Sequence, residues 1–145
     1  MNNSAQNTPD QPGRGQRFLR YHLPVILYAA AIVVVSSIRD LRPPPTGISE
    51  IDKVAHFLEY AVFSWLTFRS FYHLGKTPNL RRTLLLSALF VSIFALLDEI
   101  YQYFIPGRHS DWADFVVDVA GALVILAGLA LFRSVRKRSS YHDCT

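Results

Sequence analysis

A single cysteine in 145 residues, Cys144 beside the C-terminus, rules out an intrachain disulfide and any multi-thiolate metal site. A nucleophilic thiol has no support either. The chain also has no Gly-rich phosphate loop, no HExxH and no nucleophile elbow, so the usual signatures of nucleotide binding, zinc peptidases and serine hydrolases are missing. Charge is sparse at 18% of residues, and it is bunched, leaving long stretches with none. The length suits one compact domain and not comfortably two.

What is present is four apolar runs: Leu23 to Ile38; Val54 to Phe68, carrying His56 and Glu59; Thr83 to Leu97, running straight into Asp98 and Glu99; and Phe115 to Phe132, containing only Asp118. With their polar end turns they predict spans at about 20–38, 53–73, 82–104 and 112–132, each near the roughly 20 residues that cross a hydrocarbon core. A soluble bundle is the alternative, but it needs a polar outer face. Leu84 to Leu97 offers only Ser87 and Ser92, and Val119 to Phe132 offers nothing ionisable. The expected fold is therefore all-α, an integral membrane four-helix bundle. A cleaved signal peptide is a rival for the first span alone, since Arg14, Arg17 and Arg20 precede an apolar core. Residues 1–17 lack apolar periodicity and read as a disordered tail. Residues 18–134 form the transmembrane domain, and 135–145 form a basic tail. Pro43 to Pro45 stiffen the first loop.

Lys and Arg set the orientation. Eleven lie on the side of both termini and the second loop, against four on the other side, namely Arg39, Arg42, Lys53 and Arg108. That asymmetry puts both termini of a multi-pass membrane protein in the cytoplasm. The net charge of +4 is mainly a topology signal, and no nucleic-acid partner is needed to explain it. The basic segment "RSVRKR" either touches anionic lipid headgroups or is a plain stop-transfer flank.

The ionisable residues then sort onto the outer side. At about 100° per residue Asp52, His56 and Glu59 share one helical face, with Lys53, Phe57 and Tyr60 on the adjoining stripe. Asp98 and Gln102 align on the third span, and Asp114, Asp118 and Gly121 on the fourth. Glu59, Asp98 and Asp118 each lie roughly 10 Å inside their helix ends. Facing lipid there costs roughly 2.5–3.5 kcal/mol per charge even on lenient scales, so these groups should face one another and water. Interhelical ion pairs such as Lys53 with Asp98 or Arg108 with Asp114 are one reading. Yet only Lys53, Arg108 and His56 are available to seven acids: Asp52, Glu59, Asp98, Glu99, Asp111, Asp114 and Asp118. Such an excess calls for shared protons, a bound cation or a positively charged ligand.

"DKVAHFLEY", followed by "DEIYQYFIPGRHSDWADFVVDVAGA", resembles the VanZ-like membrane proteins over Asp52 to about Gly128. Lys53, His56, Phe57, Tyr60, Glu99, Gln102, Pro106, Gly107, Arg108, Asp114 and Gly121 fall on that pattern. Asp118 stands where the pattern has Asn, and Asp111 where it has Ser. The family takes its name from reduced susceptibility to teicoplanin, a lipoglycopeptide antibiotic, so the resemblance implies a cell-envelope role without delivering a reaction.

Three functions stay open. A binding or shielding module would engage membrane lipid, an envelope precursor or a lipophilic ligand through Lys53, His56, Glu99, Gln102, Arg108 and Asp114, beside interfacial aromatics such as Tyr101, Phe104 and Trp112. Asp52, Glu59, Tyr60, Asp98 and Asp118 would form the supporting shell. An enzyme on a lipid-linked envelope substrate would use His56, Glu99 and Asp114, with His56 a general base oriented by Asp52 or Glu59. His56 and Glu59 at i and i+3 are a weak metal signal, and no cofactor is indicated. A small transporter or proton relay is the third, although the inner halves of spans three and four are plainly apolar. Ala120, Gly121, Ala127 and Gly128 make a small-residue stripe suited either to an oligomer or to packing within the monomer.

Overall fold

A computed structural model describes residues 13–38, 49–74, 77–106 and 111–142, with side chains for 13–38, 52–74, 77–106 and 111–136. Five helices make up its regular structure: α1 (Arg14–Tyr21), α2 (Leu23–Ser36), α3 (Ser49–Tyr72), α4 (Leu80–Tyr103) and α5 (Trp112–His142). Helices α1 and α2 form almost one rod, with the His22 N–H donating to the Phe18 carbonyl at 2.9 Å. Pro24 explains the interruption. It has no N–H for the carbonyl four residues back, that of Arg20, and Arg69 Nη2 donates to that oxygen instead at 3.1 Å.

The starts of the later helices are capped by their own sequence. Asn79 Oδ1 accepts from the Arg82 N–H at 3.1 Å to open α4. Asp111 Oδ1 accepts from the Ala113 N–H at 2.9 Å just before α5. Helix begins at Arg14, and α5 runs past the expected span of 112–132 to His142. No proline or glycine separates Phe132 from His142, so nothing breaks the helix and the basic segment extends it. The Pro43 to Pro45 loop and residues 1–12 lie outside the described residues.

Contacts give the topology. Tyr28 of α2 reaches the Glu59 carbonyl of α3, and His22 reaches Ser70 at the far end of α3, so α2 and α3 are antiparallel. Phe63 meets Phe94 and Phe71 meets Phe90, which makes α3 and α4 antiparallel. Ser64 Oγ donates to the Ala122 carbonyl, and Arg133 lies over Phe68, which makes α3 and α5 parallel. The result is an up-down-up-down bundle around Ile32, Tyr60, Phe63, Val91, Ala95 and Ala122.

Three segments are long and apolar enough to cross a membrane: Arg14–Ser36, Leu80–Tyr103 and Trp112–Arg136. Helix α4 is inside out by soluble standards. Leu85, Leu89 and Ile93 are exposed, while Ser87, Asp98, Glu99 and Gln102 are buried. Helix α3 is as long as α4 but less apolar, and its position accounts for this. It is the one helix that packs against all the others, so its outward surface narrows to a stripe through Val54, Leu58, Val62 and Trp65, and it can carry Ser64, Thr67 and Ser70 buried.

Charge divides along the bundle axis. Among the described side chains, every acid (Asp52, Glu59, Asp98, Glu99, Asp111, Asp114 and Asp118) sits at the end where α3 and α5 begin and α2 and α4 finish. The described arginines sit at the other end.

Candidate functional site

The buried face of α4 repeats at helical spacing through Val91, Ala95, Asp98 and Gln102, which carries two polar groups to the interior at the carboxylate end. Asp98 Oδ2 accepts from Ser36 Oγ at 2.9 Å and from Gln102 Nε2 at 2.9 Å. Gln102 Nε2 also lies 3.3 Å from Ser36 Oγ. Asp98 Oδ1 has no hydrogen-bond partner among the described residues. Glu99, beside it, is 5% exposed.

Across the bundle, His56 Nδ1 donates to Asp118 Oδ1 at 3.1 Å, and Asp118 is only 1% exposed. That bond fixes the ring and turns Nε2 into its free end. Gly121 makes the approach possible. A Cβ at Gly121 would collide with the Phe57 carbonyl oxygen, with the carbonyl carbon 3.1 Å away, so only glycine lets α5 come this close to α3 one turn from the His56–Asp118 pair. Tyr60 is fully buried, its hydroxyl without a hydrogen-bond partner among the described residues and within electrostatic reach of Asp98, Asp118, Glu59 and Glu99.

Nearer the surface, Asp52, His56 and Asp114 each offer a ligand atom, all within 4.8 Å of one another. One imidazole and two carboxylates suit a divalent cation that accepts nitrogen and oxygen donors. The carboxylate behind His56 matches the way metal-bound histidines are held. Beside the buried acids, Leu96, Ile100, Tyr103, Phe104 and Trp112 line a cleft of about 230 Å³ with Glu99 at its polar edge.

The structure thus gathers His56, Asp52, Asp114 and Asp118 into one group, and Asp98, Gln102 and Tyr60 into a second against it. His56 is held by Asp118, not by Asp52 or Glu59 as expected, because the contact at Gly121 brings α5 within reach of the ring. Lys53 is half-buried and forms no ion pair with Asp98; the one ion pair among the described residues at this end is His56–Asp118. Arg108 lies outside the described residues. Of the small-residue stripe, Gly121 is buried against α3 while Ala120, Ala127 and Gly128 stay exposed.

Sequence reasoning missed α2. It placed the pocket among spans two, three and four, yet Ser36 of α2 supplies a donor to Asp98, and Ser37 Oγ pairs with Tyr101 Oη at 2.9 Å. The adjacent serines closing an otherwise apolar run were the available signal.

A family model described as VanZ/LLP1 matches residues 4–133, most of the chain, and the chain belongs to that family. The match extends beyond Asp52 to Gly128 and takes in α1 and α2, which the motif resemblance had left aside. No curated protein and no solved structure matches the chain.

Proposed function

We propose that this VanZ/LLP1-family member is a four-span protein of the bacterial cytoplasmic membrane that binds or shields an envelope lipid or cell-wall-related molecule. Its termini face the cytoplasm and α3 serves as the fourth span, so the carboxylate end faces outward. The ligand presents a cationic or hydrogen-bond-donating group to Asp98, Glu99 and His56, and lays an apolar portion in the cleft of Tyr103, Phe104 and Trp112. The observation that carries this reading is the burial of Asp98 and Asp118 inside the bundle, with Asp98 Oδ1 and the Tyr60 hydroxyl left without a hydrogen-bond partner among the described residues. Burying polar groups in this way is costly unless something completes their hydrogen bonds. The family's link to teicoplanin makes cell-wall chemistry the place to look for the ligand.

Native mass spectrometry of the purified protein tests it. The wild type should retain a non-covalent lipid or precursor mass that Glu99→Gln loses at equal accumulation in the membrane. If Glu99→Gln retains the mass, or fails to accumulate, the carboxylates are structural.

A second reading, an enzyme acting on a lipid-linked substrate, is favoured by the Asp52, His56 and Asp114 group alone. There a divalent metal would be held at the rim, and His56 Nε2 would stand ready to bind it or to move a proton. Elemental analysis separates the two: stoichiometric metal lost in His56→Ala supports the enzyme, and its absence leaves the binding module.

A further inference from the structure

At the arginine end, the last turns of α3 and the matching turns of α5 enclose a cleft of about 220 Å³ whose lining includes Trp65, Phe68, Arg69, Tyr72, His73 and Arg133. Both guanidiniums are held over aromatic faces. Arg133 lies 3.9 Å from the Tyr72 ring centre and 5.0 Å from that of Phe68. Arg69 lies 5.7 Å from the Trp65 ring centre and 5.2 Å from that of Tyr21. Stacking fixes the plane of a guanidinium and leaves its donor edge for a ligand. Among the described residues Arg69 spends a single hydrogen bond, on the Arg20 carbonyl that Pro24 leaves open.

His73, stacked 3.8 Å from Tyr21, is within electrostatic reach of Arg17, Arg20, Arg69 and Arg133. Four guanidiniums therefore converge on one spot, and every described acid sits at the other end of the bundle. A preference for positive charge on one side of a membrane explains how many arginines lie here. It does not explain why two of them are clamped by rings around one cleft whose described lining holds no carboxylate.

We propose that Arg69 and Arg133 form a binding site for the phosphodiester of an anionic membrane lipid. Phosphate oxygens match the forked donors of arginine, and the charge completes a cluster that otherwise repels itself. The surroundings select a lipid over a free anion. Trp65 is 44% exposed, and Leu131 and Phe132, next to Arg133, are 67% and 65% exposed, so an apolar outer surface begins at the cleft and can carry acyl chains.

The test is a titration of the full-length protein in detergent with phosphatidylglycerol and, separately, phosphatidylcholine, read by native mass spectrometry. The wild type should prefer phosphatidylglycerol, and R69Q/R133Q should weaken its binding about tenfold or more, as loss of two charge-assisted contacts implies. R133Q alone, which removes no intramolecular hydrogen bond among the described residues, should weaken it several-fold with helix content unchanged. R81Q/R82Q removes the same charge from the same end away from the cleft and should leave binding as in the wild type. Equal weakening by R81Q/R82Q would reduce the effect to diffuse surface charge and overturn the site. Unchanged binding in R133Q would also overturn it, and displacement of phosphatidylglycerol by millimolar inorganic phosphate would refute the lipid assignment.

Discussion

Gly121→Ala sets two opposing effects against each other at one atom. In a helix interior, replacing glycine by alanine ordinarily stabilises by about 0.5–1 kcal/mol, because the unfolded chain loses freedom. At Gly121 the new Cβ would run into the Phe57 carbonyl oxygen and lie 3.1 Å from its carbon and 3.2 Å from the Phe57 Cα. These neighbours are backbone in the middle of α3 and cannot rotate away, so the helices must separate. Overpacking of this kind costs typically about 1–3 kcal/mol, which at mid-range outweighs the gain by about 1 kcal/mol and at most by about 2.5 kcal/mol. At roughly 3–4 °C per kcal/mol for a chain of this size, that is a drop of several degrees in the unfolding midpoint. Gly128→Ala is the control on the same helix, since a Cβ there meets nothing within 4 Å and only the entropic gain applies. Thermal unfolding of both variants in the same detergent should therefore move in opposite directions. The separation should also loosen the His56–Asp118 bond, so Gly121→Ala should retain less ligand than Gly128→Ala. A Gly121→Ala protein as stable as the wild type would refute the close packing of α3 on α5 from which the site is built.

Ser36→Ala removes one of two donors to the buried Asp98 Oδ2 and should cost about 1–3 kcal/mol by thermal unfolding, whereas Ser37→Ala, at a more exposed position, should cost less. Asp118→Asn keeps an oxygen to accept from His56 and restores the residue the family pattern carries, so it should fold well, while His56→Ala strands Asp118 and should destabilise more. A double-mutant cycle on the pair should return a coupling of about 0.5–3 kcal/mol, and zero coupling would mean the 3.1 Å contact is not formed in the membrane. Reporter fusions after Gly107 should read outside and fusions after Thr77 cytoplasm; the reverse pattern would move the carboxylate end to the cytoplasmic face.

The fold was legible because its strongest signal, uncharged runs of membrane-spanning length, depends on composition alone. The helix ends were not. Whether Arg133 to His142 continues a helix turns on the absence of a breaker, which polar composition obscures, and α1 begins at Arg14 in spite of Gly15. The carboxylates could be grouped from facing and depth, since Asp98 with Gln102, and Asp114 with Asp118, sit four apart on their helices. Pairing across helices was less accessible. The choice of Asp118 over Asp52 as the partner of His56 depends on an interhelical distance set by a glycine that, in sequence, was equally consistent with an oligomer contact. Ser36 escaped because a hydroxyl at the end of an apolar run is common, and only its alignment with Asp98 in three dimensions gives it a role.

A photoreactive amino acid placed at Tyr103, on the cleft beside Glu99, and activated in living bacteria tests most directly whether the buried carboxylates hold an envelope molecule. The account predicts a defined lipid or cell-wall precursor adduct whose yield falls to background when Glu99→Gln is combined with it. Adducts with bulk phospholipid only, in a yield that Glu99→Gln leaves unchanged, would contradict it.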